Sequence, residues 1–302
     1  MLSIRELLRA GLWRLGAIAA ALALSGCTAT HAPLDSATAA RDPADIVDGC
    51  CNGAGPYPEW VIDWADANTE TIRHFGLIQL RPGYLTRDPA PRALVEAALR
   101  PMDLVFFHSP NRVSGLLIPG QFTHSAIYLG TEEQMRAAGL WTLPALAPWR
   151  DEIADGAFYL EAVNEGVRLT TADVVLDTDA VAVLRPQGLN RAAALRRGME
   201  RMGVPYDIRL DATDGSELFC VELIAEMFPS ADFPHTRVPG RETILIDGVV
   251  AAALSGDIPF SLVGYVKATA DGGVRALSAR KLAWDIRQGW PQASADAVTE
   301  AQ

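Results

Sequence analysis

The strongest constraint on the fold is how apolar residues are grouped between positions 91 and 266. They come in short runs of strand length closed by turn residues, and helical patterns interrupt these runs instead of alternating with them. Leu104-Val105-Phe106-Phe107 is one run, and Ser125-Ala126-Ile127-Tyr128-Leu129, ended by Gly130, is another. Residues 157–163 and 167–171 flank Asn164-Glu165-Gly166, which predicts a hairpin with glycine at its turn. Residues 180–184 form a further strand, closed by Arg185-Pro186. Then the period changes. Asn190 is placed to cap a helix that carries Leu195, Met199 and Met202 on one face, and Gly203 to stop it. A second helix follows Ser216 and turns Val221, Ile224 and Met227 inward. With no repeated βαβ unit, the pattern predicts an α+β domain, a small antiparallel sheet or barrel packed against helices.

The chain begins quite differently. Met-Leu-Ser-Ile-Arg leads through Arg9 and Arg14 into an apolar run over residues 15–24, which stops at Ser25-Gly26-Cys27. About ten apolar residues after a basic start are too few to cross ~30 Å of hydrocarbon as a helix, and fit a secretory signal. Leu24-Ser25-Gly26-Cys27 resembles the bacterial lipobox, in which cleavage precedes a cysteine that is then lipidated; the plainer alternative is ordinary cleavage that happens to end at a cysteine. The resemblance implies a signal peptide over 1–26, lipidation at Cys27 and, with Thr28 next, outer-membrane delivery facing the periplasm. Residues 27–58 are expected to form the lipidated tether and a loop, being rich in Ala, Thr, Asp, Pro and then Gly. Residues 59–94 make a lead-in segment, in which Trp60, Val61, Trp64, Ile72 and Phe75 predict one amphipathic helix. The main domain is placed at 95–287 and a polar tail at 288–302.

Charge and cysteine content narrow the partners. With 26 Lys+Arg against 37 Asp+Glu in 302 residues, the formal charge is −11. Such a balance lacks the basic footprint of phosphate neutralisation and argues against nucleic acid. Losing residues 1–26 removes three Arg and one Glu and leaves about −13, so acyl chains rather than basic patches would hold the protein at the bacterial membrane. Of the four cysteines, three remain if Cys27 is acylated, and an odd number leaves at least one thiol free. Adjacent Cys50 and Cys51 bridge only through a strained small ring. Cys220 is the natural free thiol, with a bridge from Cys220 to either of the others as the alternative.

The chain lacks a G-x-S-x-G elbow, H-E-x-x-H, a P-loop, a G-x-G-x-x-G after a strand and a spaced cysteine pair for zinc, so no metal or cofactor is expected. What remains is thiol chemistry. Cys220 falls where a loop feeds a helix; there the positive end of the backbone dipole favours thiolate, and unpaired N–H groups can face an oxyanion. Its bland reading is a small core residue. His124 enters a strand, where a histidine is anchored yet can face a cleft as a general base; the alternative is a structural imidazole. Glu161 shares a strand face with Tyr159 and Val163 and would orient that imidazole if the two strands are neighbours, or else be one solvated carboxylate. Glu165 and Asn164 are the reserves for that role. His31 sits in the tether, and His74, His108 and His235 lack a comparable setting.

Five segments then occur in a telling order: Met102-Asp103-Leu104-Val105-Phe106, Thr123-His124-Ser125, Leu160-Glu161-Ala162 with Gly166-Val167, Gly203-Val204-Pro205-Tyr206-Asp207, and Phe219-Cys220-Val221-Glu222-Leu223. Over roughly residues 95–266 the sequence resembles the circularly permuted papain-like, NlpC-type amidases of the YiiX/YaeF group, and more distantly the lecithin:retinol acyltransferases. In that family the histidine strand precedes the nucleophile helix. The resemblance implies a permuted papain-like fold with Cys220 as nucleophile, His124 as base, Glu161 as the polar third residue, Tyr206 lining the site near the oxyanion and Asp103 as a structural acid. Tyr206 could equally be a core aromatic with a wet hydroxyl. Two positions depart from the pattern: Val221 stands where serine is usual, and Met102 where glycine is usual. Residues 111–121, with Leu116, Leu117 and Ile118, read as a hairpin packed on the core, or as a lid or acyl-chain groove. The expected activity is a cysteine hydrolase, an amidase or peptidase or an acyltransferase-like enzyme. Its substrates would be peptidoglycan peptides or lipid amides and esters, the acidic surface tilting toward a small peptide or a lipid. The alternative is an inactive papain-like lipoprotein that binds a lipid or an envelope protein.

Overall fold

The computed structural model describes residues 36–51, 59–76, 78–87, 89–238 and 240–290. The expected signal peptide, Cys27 and the end of the tail lie outside them. Nine strands are present among these residues: β1 Asp103–His108, β2 His124–Tyr128, β3 Tyr159–Val163, β4 Gly166–Thr170, β5 Ala180–Pro186, β6 His235–Val238, β7 Arg241–Ile244, β8 Phe260–Ala268 and β9 Val274–Leu277. Seven form one antiparallel sheet in the order β4-β3-β2-β1-β5-β8-β9, while β6 and β7 pair as a separate ribbon. With the helices that cover it, this is an α+β architecture, consistent with the permuted papain-like fold that the sequence resemblance implies.

β1 shows why the strands read as unbroken apolar runs. Leu104 and Phe106 enter one core, and Val105 and Phe107 enter a second core on the opposite face. A strand covered on both sides has no solvent face on which to place polar residues. The larger core is closed by helices Arg191–Glu200, Cys220–Met227 and Ile246–Ser255; the smaller one takes Val95 from helix Pro89–Ala98 and Val175 from helix Ala172–Val175.

Two backbone positions matter for the site. Met102, which stands where the family pattern has glycine, is fully buried at φ 74° and donates its N–H to Tyr128 O at 2.7 Å. A left-handed conformation there is what glycine supplies at no steric cost. Gly166, at φ 96°, closes the β3–β4 turn, and a Cβ on it would lie 2.7 Å from Val204 O. The approach is close because the β4 edge is continued by chain 203–204: Val167 N–H donates to Val204 O, and Gly203 N–H to Val167 O.

Several expectations change. The lead-in region holds two helices, Glu59–Ala67 and Thr69–Gly76, broken at Asn68, whose side-chain amide donates to Trp64 O at 2.7 Å. Local capture of backbone by an Asn side chain competes with helix continuation. The presumed tether is partly built into the fold. Helix Pro43–Val47, capped by Asp42, buries Ile46 and Val47 and packs on helices Ile246–Ser255 and Ala279–Gly289. With only two apolar side chains doing the anchoring, no period was visible there. At the other end, helix Ala279–Gly289 leads to buried Trp290, past the expected boundary at 287. Cys50 and Cys51 are disulfide-bonded to each other, and Cys220 is free. Residues 111–121 form no hairpin but hold the short helix Val113–Leu117. Among the described residues, no helix is long and apolar enough to cross a membrane.

Candidate active site

Cys220 is the first residue of its helix, after Phe219 in extended backbone at φ −97°, ψ 170°. The Phe219 N–H donates to Glu222 Oε2 at 3.3 Å, tying off one of the amides that a helix start leaves free. The helix packs on β2 and β3, so its N-terminus arrives at the mouth of β2, where His124 sits. Loop 205–218 brings in Tyr206. Leu218 N–H donates to Pro205 O at 2.9 Å and Asp207 N–H to Leu218 O at 3.2 Å, while the Asp207 carboxylate accepts from the amides of Arg209 and Asp211. Tyr206 is thereby held beside Cys220 despite the intervening loop.

His124 lies opposite Phe107 in the β1–β2 register and stacks on its ring, with centroids 5.7 Å apart. Its Nε2 donates to Glu161 Oε2 at 2.8 Å, which leaves Nδ1 for the Cys220 thiol, with which the imidazole interacts electrostatically. Glu161 is 2% exposed. Its other oxygen accepts from Arg168 Nε at 3.0 Å, and Arg168 is its directly opposed partner across the β3–β4 hairpin.

The electrostatics favour a thiolate–imidazolium pair. Burial opposes charge on His124, but hydrogen bonds and attraction from Cys220 and Glu161 win and push its pKa up to about 10. Burial likewise raises the Cys220 thiol, yet its interaction with His124, helped by the neighbouring Ser125, brings it below the ordinary thiol range. Glu161 is also held below its usual value, because His124 and Arg168 outweigh its burial. Burial, with the thiolate nearby, raises the half-buried Tyr206 hydroxyl, so it stays protonated as a donor.

A cleft of about 330 Å³ opens onto this cluster. His124, Glu161 and Tyr206 line it, with apolar walls from Ile72, Ile118 and Leu210, while Cys220 itself is 4% exposed. Among the described residues, no group of His, Cys, Asp and Glu is placed to hold a metal ion.

The structure therefore brings Cys220, His124, Glu161 and Tyr206 together. It leaves the reserves aside: Glu165 pairs with Arg168, at 3.6 Å, and the Asn164 carbonyl accepts from Arg73. Asp103 lies at the far end of β1, buried in a bidentate pair with Arg185, which is a structural position. Three contributors were missed. Arg168 was recoverable from the hairpin, since a two-residue turn at 164–165 sets it against Glu161. Ser125 follows His124, but nothing local marks it. Asp247 accepts from the amides of Gln121 and Phe122 and from Trp290 Nε1, fixing the segment that feeds His124; it comes from a distant helix with no pattern announcing it.

Residues 98–244 match the family model of permuted papain-like amidase enzymes, YaeF/YiiX, the C92 family. No curated protein and no solved structure matches the chain significantly.

Proposed function

We propose, on the match of residues 98–244 to the permuted papain-like amidase family, that the chain is a cysteine hydrolase, anchored to the membrane through Cys27, that cleaves amide bonds in cell-envelope substrates. The observation that carries this reading is the hydrogen bond of Glu161 Oε2 with His124 Nε2 at 2.8 Å, on an imidazole that interacts electrostatically with a thiol at the first residue of a helix.

The Cys220 thiolate attacks the carbonyl carbon and a C–S bond forms. The Tyr206 hydroxyl and the amides of the helix start face the resulting oxyanion. His124 passes its proton to the leaving nitrogen as the C–N bond breaks, which leaves a thioester and a neutral imidazole. That imidazole takes a proton from water, the hydroxide adds to the thioester carbonyl, the C–S bond breaks and the acid departs. The Cys220 thiolate and the His124 imidazolium are restored. Glu161, itself held by Arg168, keeps the imidazole oriented and favours its charged form.

The apolar cleft walls support a substrate with a hydrocarbon substituent, a lipid amide or ester or a small apolar peptide, over a glycan. The test is to offer wild type and Cys220→Ala both muropeptides and N-acylated lipids while following intact mass for an acyl-enzyme. Turnover that needs Cys220 on one panel supports the reading; none on either overturns it. Anchoring has a separate check, incorporation of radiolabelled palmitate by wild type and not by Cys27→Ser.

A further inference from the structure

Helix Thr69–Gly76 precedes the stretch that matches the family, yet it supplies one wall of the catalytic cleft through Ile72, Arg73 and Gly76. It is seated there by packing on helix Val113–Leu117. The cleft holds three arginines, and two are already taken by carboxylates of the chain. Arg112 pairs with Asp177 at 3.3 Å, and Arg168 pairs with Glu161 at 3.0 Å and with Glu165 at 3.6 Å.

Arg73 is different. Its Nη1 makes a long hydrogen bond to the Asn164 carbonyl, at 3.5 Å, and its Nε an ion pair at 3.7 Å with Glu70, a carboxylate that is 78% exposed and so holds it weakly. Its Nε is buried with no hydrogen-bond partner. The guanidinium thus faces the cleft with donors to spare, in a planar fork suited to a carboxylate. It lines the same cleft as Tyr206 and acts on that hydroxyl electrostatically. Apolar side chains, Ile118, Val174, Ile208 and Leu210, line the same cleft. A chain of formal charge −11 repels anions at long range, so an anionic substrate needs a local cation in the cleft.

We propose that Arg73 is a specificity-determining residue that pairs with a carboxylate on the substrate, so that the preferred substrate is an amide with an apolar acyl group on one side of the scissile bond and an acidic group on the other, as in an N-acyl amino acid. This rests on the hydrolase reading above, and the test separates the two. Cys220 is alkylated in the full chain with iodoacetamide and with iodoacetate, the sulfur displacing iodide in each case. The neutral reagent reports the thiolate; the ratio of the two rates reports the neighbouring cation.

Arg73→Gln is expected to lower the iodoacetate rate about tenfold while the iodoacetamide rate stays within about twofold, and Arg73→Lys to keep most of the ratio. The unchanged iodoacetamide rate also shows that the variant is folded. In parallel, the preference for N-decanoylglycine over N-decanoylglycinamide in kcat/KM should fall by about the same factor in Arg73→Gln. An iodoacetate to iodoacetamide ratio unaffected by Arg73→Gln overturns the proposal. Slow iodoacetamide reaction in wild type would overturn the hydrolase reading instead, and the ratio would still decide the role of Arg73.

Discussion

Replacing Glu161 by glutamine changes one charge and almost no volume, at a position 2% exposed between His124 and Arg168. Two of the influences that hold the imidazole protonated come from this carboxylate, its hydrogen bond and its charge. The amide leaves a weak acceptor facing His124 and an Arg168 guanidinium whose nearer counter-charge is gone, which further disfavours imidazolium. A hydrogen bond to a charged group contributes about 1.5–3 kcal/mol. At about 1.36 kcal/mol per decade, Glu161→Gln should lower kcat/KM roughly 10- to 150-fold at neutral pH. The pH profile should narrow from both sides. The basic limb, set by an imidazolium pushed to about 10, moves down, and the acidic limb moves up because the thiolate loses part of its counter-charge. The assay is the rate of Cys220 alkylation by iodoacetamide across pH, beside kcat/KM for whichever amide is turned over, with thermal melting to show that the variant is folded. Glu161→Asp keeps the charge on a shorter arm and should fall between. If Glu161→Gln melts normally and both limbs stay in place with rates within twofold, Glu161 does not orient the base.

Tyr206→Phe should lower kcat by about 10²-fold with little change in KM, the signature of a donor used only in the transition state; an effect on melting temperature alone would make it a core aromatic. Met102→Gly relieves a left-handed backbone, worth about 1–2 kcal/mol, but empties a fully buried site, at about 2–5 kcal/mol, so thermal unfolding should show a net loss and alkylation of the distant Cys220 none. Burial, and then the nearby Asp207, Glu226 and Asp211 carboxylates, push Glu222 up to about 8, so it is neutral in the fold at pH 7. The folded state then binds the extra proton, so this contribution to stability is full below about pH 4.3 and is lost as pH rises through about 8; Glu222→Gln should flatten the fall in melting temperature across that window. Gly166→Ala should destabilise by about 1–3 kcal/mol in chemical denaturation and lower kcat too, since the clashing carbonyl is two residues from Tyr206.

Much of the site could be read locally because local rules place it. Short apolar runs put His124 at a strand mouth and Glu161 on a later strand, and the change of period put Cys220 at a helix start. The adjacency of β2 and β3 was a condition in the sequence and a fact only in the fold. What stayed hidden depends on partners far along the chain. Asp247 looks like any acidic residue in a helix until Gln121 and Phe122 present their amides to it. β8 escaped notice because its burial does not alternate, and the bulge opposite Val183/Leu184 breaks its register with β5. Arg73 gave no signal either: its Nε becomes an orphan donor only once helix Thr69–Gly76 is seated on the cleft.

The order of these pieces along the chain also decides when the protein becomes reactive. His124, Glu161 and Arg168 sit on strands made before Cys220, and the hairpin that joins Glu161 to Arg168 is local enough to close early. The thiol is synthesised last of the four and has the reactivity of any free cysteine until its helix docks on β2 and β3. The sulfur is therefore activated only by that docking: maturation of the nucleophile and assembly of its helix on the sheet are one event. An alkylating reagent pulsed during refolding would label Cys220 slowly at first, and rapidly only as the native melting transition is recovered.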